Sequence, residues 1–313
     1  MNGTLRLPDY VIAGMMKSGT SSLYSWLSQQ PECEAALEKE PDFFSCKHAW
    51  KRGLSWYSDL FGHAPGDKLI GEASTSYTKP YLGAGVAASR MAAAMQEVRL
   101  IFVVREPIER LRSHYRHEVR RGRERRTLLE AVSAPGNHYV ALSRYHDYLS
   151  PYLQRFPREQ ICIVRLEDLT SETAPGWTQV LDHLGLPPRR PPRTAHNVTA
   201  HQPSYTRAML WLWEAGHYRR LRQRLPGPVR HVARALLLRE GRQQDDRFQP
   251  SSAQLPPELT APIWQDVHRL ETWLGSTQPL WDRISDPSRP NDAMAEATTG
   301  QLDIDAPGEG TPP

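Results

Sequence analysis

The sequence has few of the features that mark secreted, metal-stabilised or membrane-spanning proteins. Among its 313 residues are only three cysteines, Cys33, Cys46 and Cys162. Their wide spacing matches neither a disulfide framework nor a zinc site. No apolar run approaches the roughly 18 residues of a membrane span, and the N-terminus lacks the basic and apolar segments of a signal peptide. We therefore expect a cytoplasmic protein without membrane insertion.

The sequence also has no large excess of positive or negative charge. The net charge is +4, with 39% hydrophobic and 24% charged residues, which is ordinary for a globular protein. This excess fits an anionic ligand but does not by itself indicate nucleic acid. After residue 284 large apolar residues become rare, so we predict one domain over residues 8–284 and a disordered tail over 285–313. Nothing in the composition indicates an oligomeric state.

The most informative stretch is residues 10–27. A short apolar run from Tyr10 to Ala13 predicts a buried parallel strand, and the residues after Gly19 suit a helix. A glycine loop that leads from a strand into a helix exposes backbone N–H groups and the positive helix end to an anion. Lys17 adds a full charge. Because Lys17 precedes Gly19, the pattern departs from the nucleotide-hydrolase loop, and a simple βα turn is the alternative.

A second anion-binding signal follows the most apolar strand, predicted at residues 98–104. Arg105 stands at its carboxyl end, and Ser113 comes eight residues later, about two turns along a helix. Ligands of doubly wound sheets bind at this end of the strands. The sequence thus predicts an α/β fold: a single domain with a central parallel β-sheet flanked by helices and a P-loop-like anion-binding loop.

Together, GMMKSGTSSLYSWL and VVREPIERLRSHY closely resemble the two nucleotide motifs of sulfotransferases that use 3′-phosphoadenosine 5′-phosphosulfate as co-substrate. The resemblance implies that Arg105 and Ser113 bind the 3′-phosphate. It assigns the 5′-phosphosulfate to the glycine loop and the start of the helix, namely Lys17, Ser18, Gly19, Thr20, Ser21 and Ser22. It also implies a catalytic role for Lys17 at the bridging oxygen, and no metal.

Two further stretches, GEASTSYT and ICIVRLEDL, extend the resemblance, and KEPDFF is similar to the base-carrying loop of the glycan-sulfating branch. That similarity makes Glu40 the catalytic base, with burial beside Phe43 and Phe44 expected. A solvated loop that its two phenylalanines anchor is the alternative. The family's lysine is missing at Ala73, and so is its C-terminal disulfide loop. We expect closure over the adenine by arginines or a histidine, namely Arg189, Arg190, Arg193 or His196.

The resemblance implies transfer of a sulfuryl group to a hydroxyl or amine of a glycan, a lipid or a secondary metabolite. A P-loop kinase of a small molecule is the second interpretation, and a nucleic-acid-binding surface is the third. The basic region 205–242 predicts two amphipathic helices, either solvated or acting as an acceptor lid. His196 and His201 are the alternative candidates for the base.

Overall fold

Five parallel strands form the centre of the protein. The computed structural model describes residues 5–79, 83–192 and 255–281, and the backbone of 204–205 and 238–239. The strands of the sheet are β1 Tyr10–Gly14, β2 Cys33–Ala35, β3 Leu69–Ala73, β4 Arg99–Val104 and β5 Ile161–Arg165. Their spatial order is β2-β3-β1-β4-β5, and every neighbouring pair is parallel. The predicted fold class is confirmed.

Both faces of the sheet are buried, as the continuous apolar strands predict. In β1, Val11 and Ala13 belong to the hydrophobic cluster on one face, and Tyr10 and Ile12 to the cluster on the other. Gly71 in β3 pairs with Tyr10 in β1, and a Cβ added at position 71 would lie 2.0 Å from the tyrosine ring. A side chain at position 71 would therefore displace the buried Tyr10 ring.

Helices cover both faces. They are α1 Thr20–Leu27, α2 Lys47–Trp50, α3 Gly53–Asp59, α4 Ala84–Ala94, α5 Pro107–Arg120, α6 Leu128–Ser133, α7 His138–Ala141, α8 Tyr145–Leu153, α9 Leu166–Thr170, α10 Pro175–Leu184 and α11 Pro257–Leu274. Two 3₁₀ helices add Thr75–Thr78 and Arg158–Gln160. Within these ranges, each helix is too short or too polar to cross a membrane.

The helix after β4 begins where local chemistry predicts. Pro107 occupies its first turn, and the Glu106 carboxylate accepts a hydrogen bond of 2.5 Å from the Glu109 backbone N–H. Proline tolerates this position because its missing N–H would have no partner there, and the carboxylate satisfies one of the free donors. The start of α5 is thereby fixed directly behind Arg105.

The late helix α11 is joined to α8 through a buried carboxylate. Asp266 accepts hydrogen bonds from the backbone N–H groups of His146 at 2.7 Å and Asp147 at 3.1 Å, and from Arg269 at 2.8 Å. Among the described residues, the spacing of one group could suit a metal ion, because ligand atoms of His146, Asp147 and Asp266 lie within 4.8 Å of one another. Because the Asp266 oxygens already accept these three donors, they cap α8, and the fold accounts for them without an ion.

Some predictions fall outside the described residues. In the basic region, only the antiparallel pair β6 Ser204–Tyr205 and β7 Leu238–Arg239 is described. The two helices predicted for residues 205–238 and the tail 285–313 lie outside the described ranges.

Candidate active site

Three segments meet at the carboxyl edge of the sheet. The glycine loop follows β1, the 3₁₀ helix Thr75–Thr78 follows β3, and Arg105 follows β4. Because β1 lies between β3 and β4, these connections are neighbours. Ligands of open α/β sheets bind at this edge, where the chain switches from one side of a central strand to the other.

The glycine loop, residues 14–19, turns tightly onto the start of α1. Lys17 and Gly19 have left-handed backbone, with φ of 70° and 90°. Gly19 also lies close to Leu166: a Cβ added at position 19 would lie 2.5 Å from the Leu166 Cδ1 atom. No side chain caps α1, and no acidic residue lies in its first turn. The helix start therefore presents N–H groups and a positive dipole end without a local anion.

The hydroxyls around this helix start differ in their surroundings. Ser18 is fully buried, and its Oγ atom has no hydrogen-bond partner among the described residues. Thr20 is buried as well, whereas Ser21 Oγ accepts a hydrogen bond of 3.2 Å from Lys39 Nζ. An unpartnered buried hydroxyl is costly. The loop thus fits a bound anionic group that supplies acceptor oxygens.

Positive charge surrounds Lys17. Burial and, to a smaller extent, the neighbouring charges of Arg120, Arg121, Arg105 and Arg116 together lower the pKa of Lys17 to about 8. Cations held close together in this way repel one another, and a bound anion relieves the repulsion. This electrostatic field matches a ligand with several negative charges, and Arg105 lies within electrostatic reach of Lys17.

Arg105 and Ser113 lie on the other wall of the site. The Arg105 guanidinium contacts the Glu109 carboxylate at 3.3 Å. The backbone carbonyl oxygen of Arg105 accepts a hydrogen bond of 2.6 Å from the Tyr145 hydroxyl. Ser113 is buried in α5. Glu109 is 43% exposed, and such a partly exposed ion pair contributes little stability. A phosphate group can therefore displace this carboxylate, which the sequence did not predict as a partner of Arg105.

The loop around Glu40, residues 38–44, corrects one expectation. Phe43 and Phe44 are fully buried, and the Phe43 ring stacks on Tyr57 with centroids 4.4 Å apart. Glu40 itself is exposed, so the predicted burial of this carboxylate beside the phenylalanines is wrong. The aromatic side chains anchor the loop, while a left-handed backbone with φ of 53° at Glu40 turns that residue back to the surface.

A network of hydroxyl groups holds the other side of this loop. The Asp42 N–H donates to Ser74 Oγ at 3.2 Å, and Ser76 Oγ donates to the Asp42 carboxylate. Ser76 also exchanges a hydrogen bond of 2.6 Å with Ser45. Ser74 in turn contacts the carboxylate of Glu72. Burial raises the pKa of Glu72 to about 8. Hydroxyls at the end of β3 thus fix the backbone next to Glu40.

Several residues at the site escaped the sequence-based prediction. Lys39 links the Glu40 loop to α1 through Ser21, and Lys79 lies within electrostatic reach of Glu40 and Asp42. On α5, burial together with neighbouring positive charges, including that of Lys17, lowers the pKa of His114 to about 2 and that of His117 to about 3. His117 stands four residues after Ser113, so helical spacing was the available signal.

The residues expected to close over an adenine have only a partial description. Arg189 forms a two-fold contact with the Glu32 carboxylate, with both N–O distances at 2.5 Å. The Arg189 guanidinium is therefore already paired with Glu32, which lies beyond the C-terminal end of α1. Arg190 is exposed, and Arg193, His196 and His201 lie outside the described residues.

The fold defines a class of parallel α/β proteins in which ligands bind at the carboxyl edge of the sheet, here beside the glycine loop after β1 and the arginine after β4. The particular family follows from comparison with known proteins, because the family model described as "Sulfotransferase domain" matches residues 7–202. The chain belongs to this family.

The similar proteins include heparan sulfate glucosamine 3-O-sulfotransferase 3B1 of Mus musculus, which is 30% identical over 197 residues that cover 59% of this chain and 47% of that protein. The bifunctional heparan sulfate N-deacetylase/N-sulfotransferase 2 of Homo sapiens is 27% identical over 204 residues, which cover 58% of this chain and 22% of that protein. The matched part of this chain thus spans half of these relatives or less.

Among solved structures, a sulfotransferase from Alicyclobacillus acidocaldarius superposes with a TM-score of 0.60 at 23% identity. The superposition covers 88% of this chain and 99% of that one. At this identity the likeness establishes the shared fold.

Proposed function

We propose that this protein transfers a sulfuryl group from 3′-phosphoadenosine 5′-phosphosulfate to a hydroxyl or amine of an acceptor. The observation that carries the proposal is the cationic surroundings of Lys17 at a glycine loop, beside an uncapped helix start. The sulfotransferase family model covers this loop and supports sulfuryl transfer over phosphoryl transfer by a kinase.

The residues of the glycine loop fit the donor's 5′-phosphosulfate. The Ser18 hydroxyl lacks a partner among the described residues, and the N–H groups at the start of α1 face no local carboxylate. We assign the 5′-phosphosulfate to Lys17, Gly19 and the hydroxyl residues from Ser18 to Ser22. The 3′-phosphate is assigned to Arg105 and Ser113, where it would replace Glu109 as the partner of the guanidinium.

In the proposed reaction, an acceptor oxygen or nitrogen forms a bond to sulfur while the bond from sulfur to the bridging oxygen breaks. Lys17 neutralises the charge that develops on the leaving phosphate, as preorganised cations do in phosphoryl transfer. Glu40 takes the proton from the acceptor, since a hydroxyl is a poor nucleophile until a base is within reach. The residues assigned here perform these steps without a metal ion.

The acceptor class is proposed from the relatives. Their names give heparan sulfate glucosamine as the group they modify, and a glycan or a small hydroxyl compound is the corresponding proposal for this chain. The cysteines Cys33, Cys46 and Cys162 are all free, which supports a reducing compartment such as the cytoplasm. Residues 8–284 remain the proposed extent of the domain.

The test measures thermal stabilisation by adenosine 3′,5′-bisphosphate, by ATP with magnesium and by duplex DNA. A ligand at 100 times its Kd stabilises the folded state by about 2.7 kcal/mol, so the bisphosphate should raise Tm clearly. The same increase is expected in Lys51→Ala, which removes an exposed lysine at the C-terminal cap of α2, and a much smaller one in Lys17→Ala. A larger shift with ATP and magnesium, or with DNA, would overturn the proposal.

A further inference from the structure

The peptide group that joins Arg105 to Glu106 is held on both sides by side chains from other elements. This peptide lies between the end of β4 and the start of α5. Its carbonyl oxygen accepts a hydrogen bond of 2.6 Å from the Tyr145 hydroxyl. Its N–H group donates a hydrogen bond of 2.9 Å to the Glu167 carboxylate. Backbone polar groups outside strands and helices need other partners, and here two side chains supply them.

Both oxygens of the Glu167 carboxylate accept a hydrogen bond. Oε1 accepts the N–H of Glu106, and Oε2 accepts a hydrogen bond of 3.2 Å from the indole N–H of Trp281. Trp281 is buried, and its ring lies against that of Tyr145 with centroids 6.1 Å apart. A carboxylate can accept from two N–H groups in this way, whereas an amide of the same shape has an acceptor at only one of the two positions.

The short helix that carries Glu167, α9, also touches the glycine loop. Leu166, the preceding residue, lies against Gly19, where an added Cβ would be 2.5 Å from the leucine Cδ1 atom. Two hydrogen bonds from Arg165 to the Asp168 carboxylate, of 2.7 and 2.6 Å, fix the start of α9. This helix therefore contacts both segments that are assigned to the donor, the glycine loop and the residues that follow β4.

The side chain of Arg105 is held less firmly than its backbone. Its guanidinium contacts Glu109, and this partly exposed ion pair contributes little stability. The position of the guanidinium thus depends on the peptide that carries it. Binding groups need a supporting shell that holds them within about 0.5 Å of the productive position.

We infer that Glu167 is a positioning residue for the donor site, which holds the backbone of Arg105 at a set distance from the glycine loop and thereby sets the preference for a nucleotide that is phosphorylated at both its 3′ and 5′ positions. The inference rests on the proposed function and adds a specificity-determining residue to it. Specificity is a difference between two affinities. A purely structural carboxylate would affect all nucleotides alike, whereas Glu167 should affect only the contribution of the 3′-phosphate.

The experiment compares the Kd values of adenosine 3′,5′-bisphosphate and adenosine 5′-monophosphate, which differ only in the 3′-phosphate. The wild-type protein should prefer the bisphosphate. In Glu167→Gln, one of the two N–H groups faces an amide NH₂ group, and this preference should fall by about tenfold, as expected for an unpartnered donor. The Kd of the monophosphate should stay nearly the same. Glu172→Gln, an exposed carboxylate just after α9, is the matched control and should change neither value.

A second change should restore the preference. Trp281→Phe removes the other donor, so in Glu167→Gln/Trp281→Phe the single amide oxygen is free to accept the Glu106 N–H. The double variant should therefore regain most of the wild-type preference, although it has lost more contacts than Glu167→Gln. In an Arg105→Ala background, Glu167→Gln should have no effect on the Kd of the bisphosphate, because no guanidinium is left to position.

Tyr145→Phe tests the other side of the same peptide. It removes the hydroxyl that donates to the Arg105 carbonyl oxygen, and it should lower the preference in the same selective way. Tyr148→Phe, in the same helix α8, is its control. If Glu167→Gln does not fold, Tyr145→Phe decides the question.

An unchanged preference in Glu167→Gln and Tyr145→Phe, an equal loss for both nucleotides, a loss that persists in the Arg105→Ala background, or no recovery in the double variant would overturn the inference. Failure of the proposed function gives a different result, since the wild-type protein would then show no preference for the bisphosphate.

Discussion

The glycine loop and the Glu40 loop meet at one site but are built in different ways. In the glycine loop, the proposed binding groups are backbone N–H groups and buried hydroxyls, and the left-handed turns at Lys17 and Gly19 set its shape. In the Glu40 loop, two buried phenylalanines and a set of hydroxyl contacts fix the backbone, and the side chain of the proposed base is exposed. In the proposed site, donor binding thus depends on local geometry, and placement of the base depends on packing with distant residues.

The difference predicts that the two loops can be damaged separately. A change in the Glu40 loop should alter turnover and leave donor affinity intact. A change among the cations around Lys17 should alter donor affinity. Lys39 of the Glu40 loop donates a hydrogen bond to Ser21, in the first turn of the helix α1 that follows the glycine loop.

The largest effect is expected for Glu40→Gln. This change keeps the shape of the side chain but removes the proton acceptor, so kcat should fall by ~10²–10⁴ while the Kd of adenosine 3′,5′-bisphosphate stays the same. Steady-state kinetics with labelled donor and calorimetric binding measure the two quantities. Glu38→Gln, in the same exposed segment, is the matched control. Near-normal turnover in Glu40→Gln would move the base to a histidine such as His196 or His201.

Phe43→Ala should have the next largest effect, on folding. Phe43 is fully buried and stacks on Tyr57, and removal of a buried phenylalanine side chain costs about 3–5 kcal/mol of unfolding free energy. Denaturant unfolding measures this loss. Leu37→Ala, in the exposed part of the neighbouring segment, should cost much less. Similar losses in both variants would show that the aromatic side chains do not anchor the loop.

Arg105→Ala and Ser113→Ala test the second wall of the donor site. Each should weaken binding of adenosine 3′,5′-bisphosphate by roughly 1.5–3 kcal/mol, the range for hydrogen bonds to charged groups. Binding of adenosine 5′-phosphosulfate, which lacks the 3′-phosphate, should change much less. Arg155→Ala, an exposed arginine on the far side of α8, serves as the control. Equal losses for both nucleotides would contradict the assignment of these two residues.

A smaller effect is expected from pH on donor affinity. The pKa of Lys17 is lowered to about 8 in the free protein, and a bound anion must raise this pKa. Below pH 8 the amine is already protonated and affinity is flat. Above pH 8 binding must also take up a proton, so affinity for the bisphosphate should fall by up to about tenfold per pH unit. Titration calorimetry from pH 6.5 to 9.5 measures this slope. A slope that persists in Lys17→Met would assign it to another group.

The smallest effect is expected for Ser76→Ala. The change removes the hydroxyl that contacts Asp42 and Ser45, and a net loss of about 0.5–1.5 kcal/mol in unfolding free energy is typical of such hydrogen bonds. A reduction of a few-fold in kcat with unchanged donor affinity should accompany it. Ser89→Ala, on the exposed face of α4, is the control. Weaker donor binding in Ser76→Ala would show that the two loops are coupled.

Local sequence determined the donor side of this protein. The apolar run before Gly14, the glycines of the loop and the arginine after β4 encode their own geometry, since strand burial, left-handed turns and helix starts depend on neighbouring residues. The positions of β1, α1, β4 and α5 follow these signals closely. The order of the two motifs was also enough to indicate the sulfotransferase family.

Only the tertiary structure decided what surrounds these motifs. The sequence could not show that Glu40 is exposed or that Arg189 is paired with Glu32. It also gave no sign that Met16, Lys79 and His114 line one cavity. These relations join residues from about 35 to more than 150 positions apart along the chain or depend on which face of a helix is covered. Burial and electrostatic potential arise from the whole assembly of elements, so no local pattern of residues encodes them.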